Sequence, residues 1–179
     1  MNEKMDAGDI ILKQEVEIGD DETTGELWDR LSKIGGEILV ETISKIEAKT
    51  APRIPQETNF TIAPMLEKQM AKIDWENKTA YQIKNLVRGL NPIMGAYSFI
   101  DNKKIKFWKV QIINDEIPES QDKKAGEVLL ADSKKGLYIK AKDGIISVIE
   151  IQGENAKRMN IGDFLRGNKI LEGMSFSAK

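Results

Sequence analysis

The spacing of apolar positions divides the chain into stretches of different period. Ile10-Ile11-Leu12 and Val16-Glu17-Ile18 read as a strand, stopped by Gly19-Asp20-Asp21. Leu27, Leu31, Ile34, Ile38, Leu39, Thr42, Ile43 and Ile46 then recur near the helical period, with Thr23 placed as N-cap and Glu26 completing a capping box. Gly35-Gly36 sits inside that helix. Two glycines destabilise a helix by about 2 kcal/mol relative to alanine, so they predict close packing or a kink. A strand followed by a helix is half of a βαβ unit and needs a larger sheet to pack on. Pro52, Pro55 and Pro64 each push the preceding residue toward extended geometry, so residues 49–62 read as a linker between a first part, 1–48, and a second, 63–179.

The second part opens with Ile73-Asp74-Trp75. Ala80, Ile83, Leu86, Val87 and Leu90 then predict a helix capped by Asn77 or Thr79 and stopped by Gly89 and Asn91-Pro92. From Ala96 the period shortens. Residues 97–100, 104–113, 126–131, 136–141 and 145–151 alternate as short strands, separated by turn signals at Asp101-Asn102, 132–136 and 142–144. Five short strands at this spacing predict a small barrel. A last helix is expected after Asn160, with Asp163 in its first turn and Arg166-Gly167 at its end.

Composition adds little to that picture, except through what is missing. The chain is 40% hydrophobic and 31% charged, ordinary for a globular protein. No apolar run approaches bilayer length, so no membrane partner is expected. No secretory signal is legible, and cysteine is absent, so disulfides and thiolate metal sites are excluded and a cytoplasmic location is expected. Histidine is also absent. The commonest general base and the commonest metal ligand are therefore missing, and no metal is implied. The net charge of -2 divides unevenly: residues 1–62 carry 7 Lys/Arg against 14 Asp/Glu, and residues 63–179 carry 20 against 15. A basic second part points weakly toward nucleic acid. Two groups of cations carry that reading. Lys103, Lys104, Lys106 and Lys109 surround Phe107 and Trp108, while Lys68, Lys72, Lys84 and Arg88 follow the linker. The alternation in 104–109 turns the aromatics inward and the lysines outward, toward phosphates.

Several motifs occur together. Met5-Asp-Ala-Gly-Asp-Ile-Ile-Leu, Glu22-Thr-Thr-Gly-Glu-Leu-Trp-Asp-Arg-Leu and Thr50-Ala-Pro-Arg-Ile-Pro-Gln are followed by Ile73-Asp-Trp75. Arg88-Gly-Leu-Asn-Pro92, Gly95-Ala-Tyr97 and Lys106-Phe-Trp-Lys109 complete the series. In this order and spacing the chain resembles the methionyl-tRNA formyltransferase family over nearly its whole length. The first motif is shared with other formyltransferases that use 10-formyltetrahydrofolate, and in the family it lies well inside a catalytic domain. The resemblance therefore implies a C-terminal portion of such an enzyme. The implied fold is α+β: a strand-helix remnant of a Rossmann-like formyltransferase domain, a linker, and an OB-like β-barrel with flanking helices. The implied reaction is formyl transfer from 10-formyltetrahydrofolate to the amino group of methionyl initiator tRNA, in translation initiation. The family uses an Asn, a His and an Asp. Asp6 matches the Asp, and Gly8 and Asp9 flank the expected cofactor. The Asn-His motif is absent, so this chain alone is expected to be inactive.

The basic residues named above are then candidates for tRNA contact. Two other classes remain open, a stand-alone OB-like RNA-binding module and a structural domain without ligand, as does another 10-formyltetrahydrofolate-dependent formyltransferase such as a sugar-nucleotide enzyme. The helix of residues 23–47, without its sheet, is expected to self-associate through its apolar face or to rearrange by docking that face on the barrel.

Overall fold

The computed structural model describes residues 8–56, 61–113 and 122–177. It divides into two units, Met1–Met65 and Leu66–Lys179.

In the first unit one helix dominates, α1 (Thr24–Glu47). Its start is the predicted capping box: the Glu26 amide donates to the Thr23 hydroxyl at 3.3 Å, and the Thr23 amide donates to the Glu26 carboxylate at 2.8 Å. Arg30 reaches back to Glu22 at 2.7 Å, and that hydrogen bond raises its pKa. No residue of α1 is buried. A Cβ on Gly35 or Gly36 would meet nothing within 4 Å, so no close neighbour among the described residues requires glycine there. The strand expected over 10–18 does not form. Only Ile10 pairs, bridging Ile54 through hydrogen bonds of 2.8 and 2.9 Å. A strand needs a continuous partner ladder, and the proline-rich segment opposite supplies only this one bridge.

The second unit is α+β with a six-stranded antiparallel sheet. Its strands are β1 (Ala96–Ile100), β2 (Lys103–Ile113), β3 (Val128–Asp132), β4 (Gly136–Lys140), β5 (Ile145–Gln152) and β6 (Met159–Asn160). The order is β1-β2-β5-β4-β3, with β6 pairing β5 beyond β4. Asp101 and Asn102 both take positive φ, as a two-residue hairpin between β1 and β2 requires. Helix α2 (Ala80–Gly89) packs on β2, burying Ala80, Ile83 and Val87. Of its two candidate caps, Thr79 makes the bond, at 3.1 Å to the Gln82 amide, while Asn77 binds Asp74. Helix α3 (Ile161–Gly167) lies against β5 and β6. A 3-10 turn at Lys68–Ala71 precedes the first strand.

The C-terminal segment joins the sheet's outer strands. Ser177 exchanges hydrogen bonds with Phe99 of β1 at 2.9 and 3.1 Å, and Phe176 donates to the Gly126 carbonyl just before β3 at 2.8 Å. Gly126 has φ +87, and a Cβ there would stand 2.3 Å from the Phe176 carbonyl oxygen, so only glycine lets the two backbones meet. Inside, Trp75, Phe107 and Phe176 pack with ring centroids 5.4 to 6.1 Å apart. The Trp75 indole N–H donates to buried Ser98 at 3.0 Å, and the Ser98 hydroxyl donates to the Ser177 carbonyl at 2.9 Å. Every polar atom of that contact is thus satisfied.

Candidate nucleic-acid interface

Alternation along β1 sets the face. Ala96, Ser98 and Ile100 point into the core, so Tyr97 and Phe99 stand on the outside, half-buried. Along β2, Ile105 and Phe107 are buried and Lys104 and Lys106 are turned outward. The register sets Tyr97 opposite Lys106 and Phe99 opposite Lys104. The segment after the 3-10 turn extends this row. Lys72 bridges Tyr97 in parallel, between buried Ala71 and Ile73. Tyr97 is therefore flanked by lysines on both neighbouring segments.

Side-chain contacts tighten the group. The Lys104 ammonium sits 3.7 Å from the Tyr97 ring centroid, and Phe99 meets Tyr97 edge-on at 5.7 Å. Burial holds the Lys104 ammonium below the usual lysine range, the charges of Lys106 and Lys68 add to this, and Glu154 opposes it. Four of the eight predicted cations, Lys68, Lys72, Lys104 and Lys106, thus share one surface. The result is concentrated positive charge around an aromatic ring.

Trp108 is buried, as expected, but through an irregularity of the strand. The β2–β5 register shifts between Phe107 and Lys109, leaving Trp108 as the extra residue of a bulge. Phe107 points into the core; Trp108 is 9% exposed but lies outside the core cluster. Two cations cover it instead, the Lys106 ammonium at 5.5 Å and the Arg158 guanidinium at 5.2 Å from its ring. Its indole N–H donates to Gln152 at 2.9 Å, and its carbonyl accepts from Asn91 at 2.8 Å. Gly95, φ +70, allows this: a Cβ there would come within 2.9 Å of the indole. Arg158 is held by Glu150 and by Asn91, the latter at 3.2 Å. Sequence reasoning missed Arg158, because only the β5–β6 pairing carries it to Trp108. It also left Tyr97 out of the basic group, although the Tyr97-Ser-Phe99 alternation marked two aromatics on one face.

The other predicted residues lie elsewhere. Lys103 is exposed beside the hairpin turn, at the rim of a cavity of about 290 Å³ floored by Ile105 and Phe164. Lys109 is exposed beyond the bulge, opposite Glu150. Lys84 and Arg88 stand one turn apart on α2, where the Arg88 guanidinium donates to Asn85 at 2.7 Å. Asp6 lies outside the described residues. The Gly8 carbonyl accepts from Gln56 at 2.8 Å, and Asp9 is exposed. Among the described residues no group of three carboxylates is placed to hold a metal ion, and no helix is long and apolar enough to cross a membrane.

Residues 65–169 match the family described as formyl transferase, C-terminal domain. The methionyl-tRNA formyltransferase of Ruminiclostridium cellulolyticum is 41% identical over 167 residues, covering 93% of this chain and 52% of that relative. That of Alkaliphilus oremlandii is 42% identical over 175 residues, covering 97% and 54%. The chain thus spans about half the length of the curated relatives it matches. Two solved structures of HypX from Aquifex aeolicus share the fold. A multiply substituted variant has TM-score 0.68 at 18% identity, over 94% of this chain and 30% of that one. A complex with tetrahydrofolic acid has TM-score 0.67 at 17% identity, over 98% and 32%.

Proposed function

This chain belongs to the formyl transferase C-terminal domain family, and from that premise we propose that it holds tRNA for a formyltransferase acting in translation initiation. The substrate of that reading is methionyl initiator tRNA, the formyl donor is 10-formyltetrahydrofolate, and the compartment it implies is the cytoplasm. The carrying observation is the group of Lys68, Lys72, Lys104 and Lys106 around Tyr97. Like charges crowd together there, and those of Lys106 and Lys68 add to the burial that disfavours the charged form of Lys104. A phosphate backbone relieves that repulsion and releases its counterions. Antiparallel strands stitched into a ring by the C-terminal segment support an OB-like reading of the second unit. Residues 1–48 are read as the end of the catalytic domain and 49–62 as its linker.

The donor's own site is another matter. Asp6, Gly8 and Asp9 are the residues proposed to face it. Gly8 is half-buried and Asp9 is exposed, and two such residues do not make a folate site. Proton transfer from the attacking amine needs a positioned base. No histidine is present to supply one, and this chain alone is proposed to be inactive. Self-association through α1 belongs to the same reading, because its apolar residues face solvent.

The test is titration of the chain with initiator and elongator tRNA across salt. Binding that weakens steeply with salt supports the reading. A preference for initiator assigns discrimination to this chain, and no binding to either tRNA at low salt would sink the proposal.

A further inference from the structure

We propose that Tyr97 is a stacking platform for an unstacked nucleobase, so that this face takes a single-stranded or looped-out nucleotide in preference to an unbroken duplex. The inference rests on the RNA-binding reading above and names the form of RNA the face prefers.

Tyr97 sits on a rigid mount. Its carbonyl accepts from the Ile73 amide at 2.8 Å, and its strand pairs with β2 on the other side. Phe99, edge-on at 5.7 Å, braces the ring against rotation, and Phe99 is itself fixed by its two bonds to Ser177. One ring face is occupied by the Lys104 ammonium at 3.7 Å. That ammonium is partly stripped of water and repelled by Lys68 and Lys106. An incoming phosphate offers it a stronger partner than the ring does. As the ammonium moves to the phosphate, the face it covered opens to the base attached to that same backbone. Lys72 and Lys106, on either side of Tyr97, are placed to hold the adjoining phosphates.

The ligand class follows from charge and shape. A cationic ligand is repelled by the lysines. A continuous duplex presents base edges and keeps its base faces stacked internally, so it engages the lysines and leaves Tyr97 unused. A single strand uses both. Any base has a π-face, so the expected preference is for strandedness and not for sequence.

The experiment uses the full chain and a short single-stranded RNA with 2-aminopurine at its centre, beside a fully paired hairpin of equal length. The expected result is quenching of 2-aminopurine on binding and roughly tenfold tighter binding of the single strand, the scale of one base–aromatic stack. Tyr97→Leu should remove that advantage and the quenching, with urea unfolding followed by tryptophan emission showing that the variant is folded. Tyr97→Phe should retain both. Equal binding of the two RNAs with no effect of Tyr97→Leu overturns the stacking platform while RNA binding stands. Polyglutamate competing as well as RNA overturns nucleobase recognition. Binding of no RNA at low salt overturns the underlying reading itself.

Discussion

Gly126→Ala should weaken the second unit more than its backbone conformation alone explains. At φ +87, alanine in place of glycine is disfavoured by about 1–2 kcal/mol. The added Cβ would also lie 2.3 Å from the Phe176 carbonyl oxygen, so the C-terminal segment must move away. That movement breaks the Phe176–Gly126 bond of 2.8 Å and loosens its neighbour between Val128 and Met174, also 2.8 Å. Two such bonds add roughly 1–3 kcal/mol, for a total of about 2–5 kcal/mol. Gly173→Ala is the matched control, with φ +83 and nothing within 4 Å of its Cβ, and should lose only the backbone part, about 1–2 kcal/mol. Urea unfolding followed by tryptophan emission, in a Trp28→Phe background that confines the signal to Trp75 and Trp108, gives both values. Equal losses at the two glycines would refute the claim that the segment's backbone contact at Gly126 holds the sheet together.

Two further predictions concern the site and α1. Lys104 is held below its ordinary pKa in the free protein, so its contribution to folding stability rises as pH climbs from its folded toward its unfolded value. A bound phosphate raises that pKa again. RNA affinity should therefore fall as pH rises through the free-state value, and Lys104→Arg should flatten the fall; an identical fall in that variant, measured by anisotropy, would contradict the assignment. Trp28, 63% exposed, and Leu39, 58% exposed, lie on one face of α1. Sedimentation velocity should show concentration-dependent association that Trp28→Lys with Leu39→Lys abolishes, and a parent chain monomeric at every concentration would contradict it.

Much of the second unit could be read from local pattern. The Thr79 cap, the Asp101-Asn102 turn and the alternation in 104–107 are near-neighbour effects, and their elements form where expected. What escaped depends on partners distant in sequence. The closure by Ser175 to Ser177 needs Phe99 and Gly126, and nothing in a short polar tail signals a strand. The bulge at Trp108 is a register event set by β5, and no local pattern announces it. In the first unit the pattern over 10–18 promised a strand because periodicity records which residues suit a sheet, not whether a partner ladder is present. Among the candidate cations, sequence proximity grouped Lys68 and Lys72 with Lys84 and Arg88. The parallel bridge from Lys72 to Tyr97 joins the first two to the hairpin lysines instead.

The most direct test of the central claim is the salt dependence of tRNA binding by the parent chain and by Lys104→Gln with Lys106→Gln. If these two lysines neutralise phosphates, the slope of log affinity against log salt should shrink in magnitude by about 2. An unchanged slope would mean that the Tyr97 face does not touch the backbone, and that the RNA-holding surface lies elsewhere on the chain or not on it at all.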